Sequence, residues 1–403
     1  MPSSPTSYLD ANAGIPPLPQ IREKLPGVLG QLYNPSSTHQ AGRQAKALLR
    51  TARTQVTRSL GTLLSDLNDS QWIWTSGGTE GLQAAIRSTV LRAPARVWFY
   101  SAVEHSGSLG WLSQIEKNPD CKAIALPLDA FGRVNVDAFP KAYENACQSG
   151  AIRPGEAFLA SFLWVHNETG IVQDRLTELL QAIQERGGYS LIDAAQSWGK
   201  IGPGAGVSLA LADWVAASGH KLGAFSGTGV LAFSARARKL LEQCPSFAGT
   251  QQFGLRAGTE NLVGAWSLGE AAELQAWNQC ADLARLRNAL EDRILFEIPA
   301  SVVQGKGVPR AGNTLNVSFH EIPKTSLPLT DLLDLEGFCV SSGSACSSGV
   351  RKPSHVLKTL GYSDELALAT LRISLTPETS EHELIEKFLP ALKRAVAAAR
   401  KAR

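Results

Sequence analysis

Several things missing from this sequence narrow it before any motif is considered. Its six cysteines (121, 147, 244, 280, 339 and 346) form no CxxC pair and no regular spacing. That excludes a disulfide framework and predicts reduced thiols, as in a cytoplasmic protein. No apolar run approaches a membrane span, and the stretch from Val207 to Ala217 is interrupted by Asp213. Neither sign of charge is in excess: 39 Lys and Arg against 36 Asp and Glu leave +3, too little to argue for a nucleic-acid partner. The basic cluster Lys393, Arg394, Arg400, Lys401 and Arg403 reads as the solvated face of a terminal helix. Segment Met1–Ser7 has no basic stretch followed by an apolar core, so no secretory leader is expected. GxxxxGK[ST] does not occur, which excludes a P-loop. Internal repeats and low-complexity tracts are also missing.

What is present suits a large globular chain. With 403 residues, 44% of them hydrophobic, the chain buries a sizeable core and is expected to form two domains. Apolar, β-branched or aromatic runs predict strands at Trp72–Thr75, Arg96–Tyr100, Lys122–Pro127, Phe158–Val165, Tyr189–Ile192, Trp214–Ala217 and Gly229–Phe233. Helical patterns at Glu80–Leu91, Val136–Gln148 and Leu176–Arg186 lie between them, and such alternation predicts an α/β fold around a mostly parallel sheet. A long helical pattern from Val263 to about Phe296 looks like a spine leading to a second domain with short strands at Thr314–Phe319, Cys339–Ser342 and Leu371–Leu375. Gln304–Arg310 is expected to be an exposed loop, and Gly202–Gly206 a turn.

Two positions carry the chemistry. Strand Trp214–Ala217 ends in Ser218-Gly219-His220-Lys221, delivering a lysine into a polar turn. A desolvated lysine is the kind that forms Schiff bases. Strand Tyr189–Ile192 ends in Asp193-Ala194-Ala195-Gln196. An acid for a pyridinium nitrogen and a lysine for an aldehyde are the pair that pyridoxal 5′-phosphate requires.

Thr75-Ser76-Gly77-Gly78-Thr79-Glu80 follows a strand and opens a helix. Taken alone it is a strand-to-helix turn capped by Thr79. With Ser218 and His220 for company it becomes a phosphate site, the glycines admitting an anion to the helix N-terminus. Ser341-Ser342-Gly343-Ser344-Ala345-Cys346-Ser347-Ser348-Gly349 holds only small residues and cannot pack a core. It reads either as a linker with an incidental thiol or as an exposed loop presenting Cys346 as a nucleophile. A metal site is not expected, since neither Cys346 nor His355 has a ligand-spaced partner.

The chain resembles the pyridoxal-phosphate-dependent cysteine desulfurases of the NifS/IscS type, in the class V aminotransferase family. The resemblance runs from Tyr8-Leu9-Asp10 to the Arg372 region. It passes in order through Asn34-Pro35-Ser36-Ser37, TSGGTE (75–80), Glu104-His105, His166-Asn167-Glu168-Thr169-Gly170, DAAQS (193–197), SGHK (218–221), RAGTEN (256–261), SSGSAC (341–346) and Leu371-Arg372-Ile373-Ser374. It implies the aspartate aminotransferase-like, type I fold of PLP-dependent transferases. A large cofactor-binding domain would span residues 15–265, and a smaller α+β domain, residues 1–14 plus 266–403, would carry the Cys346 loop.

By the same resemblance, Lys221 holds the cofactor, Asp193 pairs with the pyridinium nitrogen, and His105 stacks on the ring as part of the catalytic set. Asn167 and Gln196 bond the ring hydroxyl, and Gly78, Thr79, Ser218 and His220 take the phosphate. Thr259 reaches the phosphate of a partner subunit, implying a homodimer. Arg372 clamps the substrate carboxylate, a task suited to a guanidinium, with Asn34 also on the substrate. Cys346 receives the sulfur of L-cysteine as a persulfide, leaving L-alanine and supplying iron–sulfur clusters or other thio-cofactors through an acceptor or scaffold protein. Alternatives within the resemblance are a selenocysteine lyase or another class V lyase or aminotransferase; outside enzymes, the alternative is a scaffold in a sulfur-transfer complex. Departures from the family pattern fall at Gly14-Ile15, where two hydroxyl residues are usual, at Leu82-Gln83, and at Ala224-Phe225-Ser226-Gly227 after the lysine.

Overall fold

Short β-branched and aromatic runs, each closed by a turn former, become the seven strands of a central sheet in the computed structural model, which describes residues 7–91, 96–201, 207–245, 248–274, 280–343 and 352–401. The strands are β1 (Trp72–Thr75), β2 (Val97–Tyr100), β3 (Lys122–Ala125), β4 (Phe158–Leu163), β5 (Tyr189–Asp193), β6 (Trp214–Ser218) and β7 (Gly229–Phe233). Their order is β1-β7-β6-β5-β4-β2-β3. Neighbours are parallel except that β7 runs against both β1 and β6, so the mostly parallel sheet expected from the alternation is present. Inner strands β4, β6 and β7 are buried along their whole length, while edge strand β3 is not.

The opposite edge is covered by a side chain acting as a strand. Gln252 accepts from the N–H of Trp74 at 2.6 Å and donates to its carbonyl at 3.2 Å, which blocks further pairing there. Trp98, Trp214, Phe99 and Phe158 are fully buried on the sheet faces, each worth roughly 1.5–3 kcal/mol of transfer from water. Their polar handles are satisfied: Trp98 Nε1 donates to Ser161 Oγ at 2.7 Å and Trp214 Nε1 to Thr89 Oγ1 at 3.0 Å.

Helices α1 (Gln40–Leu60), α2 (Gly78–Ile86), α3 (Phe139–Gln148) and α4 (Leu176–Glu185) belong to this region. Helix α2 starts earlier than its apolar pattern suggested and ends in a wide turn at Arg87–Leu91. The long helical pattern is described in two pieces, α5 (Leu262–Leu274) and α6 (Cys280–Glu297), with residues 275–279 outside the described residues. Helix α5 lies against α1 so closely that a Cβ on Gly269 would come within 2.7 Å of Ala52 Cα.

A second sheet, antiparallel, joins β8 (Ser301–Val303), β9 (Thr314–Phe319) and β10 (Thr370–Ser374) and is backed by α6, against which α7 (Leu389–Lys401) packs. The N-terminal segment stitches onto this region: Ser7–Tyr8 pairs with Phe338–Cys339, and Ala11 N–H donates to Ser374 O at 3.0 Å. Gln304–Arg310 is not the exposed loop its composition suggested. Gln304 is buried and donates to Ser318 Oγ at 2.9 Å, while Arg310 pairs with Glu291 at 2.6 Å with both side chains 6% exposed. Only Lys306, Gly307 and Pro309 face outward; a charged or amide side chain is buried readily once a partner satisfies it. The turn expected at Gly202–Gly206 lies outside the described residues. No described helix is long and apolar enough to cross a membrane.

Candidate active site

Parallel strands deliver their carboxyl ends to one edge of the sheet, where open α/β folds bind ligands. Here that edge faces a cleft of about 900 Å³ lined by residues from both sheets. Gly78 and Thr79 arrive from β1, His105 from β2, Asn167 from β4, Asp193 and Gln196 from β5, and Ser218, His220 and Lys221 from β6. Arg372, on β10, completes the wall from the second sheet.

Asp193 ends β5 and is 6% exposed. Its Oδ1 accepts from Ala195 N–H at 2.9 Å, and burial raises its pKa against that bond and the charges of His105 and Lys221. Lys221 Nζ donates to the carbonyls of Asn12 and Ala13, each at 2.7 Å. Burial and then the Arg372 charge lower the Lys221 amine to about 8, against the pull of Asp10 and Asp193. A lysine in that range has an accessible neutral form, which a nucleophilic or proton-moving amine needs.

Beside the first turn of α2, Ser218 Oγ and His220 Nδ1 are hydrogen-bonded at 2.8 Å. Burial, followed by the Lys221 and Lys200 charges, lowers His220 to about 4, so it is neutral near pH 7. Thr79 is not the helix cap: Gly77 occupies that position without a side-chain bond, and Thr79 lies in the exposed first turn. The hydroxyl is therefore available to a ligand, along with first-turn N–H groups. Glu80 braces this loop, accepting from Ser76 N–H at 2.6 Å and from Arg256 Nε at 3.0 Å.

His105 caps the short helix Ser106–Leu109 through Nδ1, which accepts from Gly107 N–H at 3.0 Å, leaving its ring exposed to the cleft. Asn167 is committed through its carbonyl, which accepts from Asn12 Nδ2 and Arg372 Nη1. Its buried Oδ1 has no partner among the described residues. Arg372 is 5% exposed and its Nη2 donates to Asp10 Oδ1 at 2.7 Å.

Asn34 and Thr259 are exposed and do not line the cleft. Cys346 lies outside the described residues, but both flanks of its segment reach the cleft mouth at Glu168. Ser354 Oγ donates to Glu168 Oε2 at 2.6 Å, and a Cβ on Gly343 would come within 2.7 Å of the same oxygen. Burial raises the pKa of Glu168, against the Ser354 bond and the His355 and Arg372 charges.

Residue reading from the sequence missed Asp10, Asn12 and Lys200. Asp10 and Asn12 interrupt the buried Leu9 and Ala11 at alternate positions, and Lys200 follows Gln196 closely enough to fold back on it. Polar residues placed inside such apolar stretches were the available signal.

The set fits pyridoxal 5′-phosphate. It offers a lysine with a lowered pKa, a buried carboxylate facing the cleft, a cleft-lining asparagine whose amide oxygen has no partner among the described residues, and a hydroxyl-and-imidazole group near a helix N-terminus. Fold and site together define the lysine-dependent α/β enzymes of the type I PLP class.

The chain belongs to the class V aminotransferase family, whose pattern matches residues 7–388. It is 34% identical over 384 residues to a cysteine desulfurase of Trichormus azollae, covering 94% of this chain and 90% of the relative. It is also 34% identical over 392 residues to one of Cereibacter sphaeroides, covering 96% and 94%. Among solved structures, a NifS-like protein from Rickettsia africae superposes with a TM-score of 0.80 at 25% identity, covering 97% of this chain and 99% of that one.

Proposed function

We propose that this protein is a PLP-dependent cysteine desulfurase that converts L-cysteine to L-alanine and receives the sulfur on Cys346 as a persulfide. The observation that carries the reading is the convergence of Lys221 and Asp193, from adjacent strands, on a single cleft that also contains Arg372. Family membership and relatives named cysteine desulfurase support it. Gly78, Thr79, Ser218 and His220 would hold the phosphate, Asp193 the ring nitrogen, Asn167 and Gln196 the ring hydroxyl, and His105 the ring face. Bound there, the cofactor supplies an aldehyde for an amine and an electron-withdrawing ring.

The chain's own groups do the rest. Arg372 orients the substrate carboxylate, and Lys221, able to cycle between amine and ammonium, moves the proton at the substrate α-carbon. The Cys346 thiolate attacks the substrate sulfur: an S–S bond forms as the Cβ–S bond breaks, and the electron pair left on Cβ takes up a proton to yield alanine. The persulfide then passes to a sulfur acceptor. An ordinary thiol titrates at about 8.5, so the attack calls for activation of the thiol at neutral pH.

The reading includes a homodimer in which exposed Thr259 serves the neighbouring subunit's phosphate, Asn34 as a substrate-binding residue, and a cytoplasmic setting in keeping with the free thiols of Cys121, Cys147, Cys244, Cys280 and Cys339. Residues 15–265 form the cofactor domain in this reading, and residues 1–14 with 266–403 the smaller one.

The test is mass spectrometry of the purified protein after brief exposure to L-cysteine without reductant, with alanine assayed in the same tube. A one-sulfur adduct on the Cys346 peptide with matching alanine is expected. A yellow protein with neither would overturn the choice of substrate.

A further inference from the structure

Lys200 is 2% exposed, in the turn that follows β5. Desolvating an ammonium group is costly, and an apolar side chain of similar volume would avoid the cost. Its position next to the site points to a role. Lys200 Nζ donates to Gln196 Oε1 at 2.6 Å and to Asn12 Oδ1 at 3.2 Å. Gln196 Nε2 in turn donates to the Asn12 carbonyl at 2.9 Å. The amide is therefore gripped at both ends. Turning it over would set its NH2 against the lysine amine and its oxygen against a carbonyl.

Asn12 is itself immobilised by every polar atom it has. Its N–H donates to Ser374 Oγ at 3.0 Å, and its Nδ2 donates to Thr314 Oγ1 at 2.9 Å and to the Asn167 carbonyl at 3.2 Å. Its Oδ1 also accepts from Asn313 Nδ2 at 3.1 Å. The same Asn12 carbonyl that takes Gln196 takes Lys221 Nζ at 2.7 Å. One asparagine, bonded to the second sheet at Ser374 and Thr314 and to the loop after β4 at Asn167, thus connects the two lysines and the amide.

We propose that Lys200 is a positioning residue which, through Gln196 and Asn12, fixes the Gln196 amide so that the N–H not bonded to the Asn12 carbonyl is available to the cofactor. The proposal rests on the reading of the cleft as a pyridoxal-phosphate site. A hydrogen-bond donor held in one orientation loses no freedom when the ligand arrives, so removing the grip costs affinity even though Lys200 is given no contact with the cofactor.

The test is a double-mutant cycle on cofactor affinity, measured by titrating apoprotein with pyridoxal 5′-phosphate and following absorbance. Lys200→Met and Gln196→Ala are each expected to weaken binding about tenfold, and the double variant to bind within about twofold of Gln196→Ala alone. The visible absorption maximum of the bound cofactor is expected to move in the same direction in both single variants, which a purely structural lysine would not produce. Fold-changes that multiply in the double variant, or an unmoved maximum in Lys200→Met, would overturn the proposal. Should Lys200→Met fail to fold, Lys200→Gln enters the same cycle under the same criteria. Failure of the underlying reading looks different: wild-type apoprotein would then give no borohydride-trapped adduct on the Lys221 peptide.

Discussion

The two ends of the central sheet each bury an aspartate, and they treat it in opposite ways. At the amino ends of the parallel strands, Asp213 is 2% exposed and saturated. It accepts from Ser190 N–H at 3.0 Å, Ser234 Oγ at 2.8 Å and Arg236 Nε at 2.6 Å, and Arg236 also donates to the Gly188 carbonyl. At the carboxyl ends, Asp193 has the Ala195 N–H and an open cleft. Nearby, the buried Nε of Arg372 and Oδ1 of Asn167 lack partners among the described residues. Buried polar groups are normally satisfied, so groups left short at the edge of an open cleft are free to meet a ligand. One end is saturated by its own chain, the other is left open to the cleft.

The largest effect is expected outside both ends. Cys346→Ser should abolish sulfur release and the one-sulfur adduct while leaving the cofactor spectrum in place; a variant releasing sulfide at the wild-type rate would remove Cys346 from the reaction. Next, Asp193→Ala should lower alanine production about a thousandfold, since on the proposed function the cofactor ring would lose its partner, yet leave apoprotein stability within about 1 kcal/mol because little is bonded there. Asp213→Ala is the mirror image. It should cost about 3 kcal/mol in urea unfolding by stranding Arg236 and a serine, with cofactor affinity unchanged in the folded fraction. If Asp193→Ala destabilises the apoprotein more than Asp213→Ala does, the contrast between the ends fails.

The smallest effect is one of pH. His220 titrates near 4 in the fold against 6.5 when free, so between those values the unfolded chain binds more protons than the native one. Its contribution to stability is present above pH 6.5 and lost as pH falls through 4. The urea midpoint of wild-type apoprotein should therefore drop more than that of His220→Gln between pH 7 and pH 5, a difference of up to about twentyfold in the folding equilibrium. Comparing the two proteins isolates His220 from His166, lowered by burial to about 4, and from Glu104, raised by burial to about 7, which pulls the other way. Equal drops would show that His220 is solvated at the phosphate end.

Strands β1 to β7 were legible in the chain because each is short, apolar and closed by a turn former, a pattern that local sterics and burial impose without reference to the rest of the fold. Lys221, Asp193 and the TSGGTE turn were legible for a related reason: a charged or glycine-rich group directly after a buried strand must emerge at the strand's end. The expectation for Cys346 rests on composition, since Ser, Gly and Ala cannot make a core, and its segment lies outside the described residues.

Arg310 and Gln304 were misread because their polarity was visible, while the partners that bury them, Glu291 and Ser318, lie on other elements. Asn12 and Lys200 were invisible for the same reason, their bonds joining the N-terminal segment to strands more than a hundred residues away. Local pattern sets where each element begins and which residues stand at its end. Which of those residues end up satisfied, and which face an open cleft, depends on long-range packing, because a hydrogen-bond partner is a matter of distance in space and not along the chain.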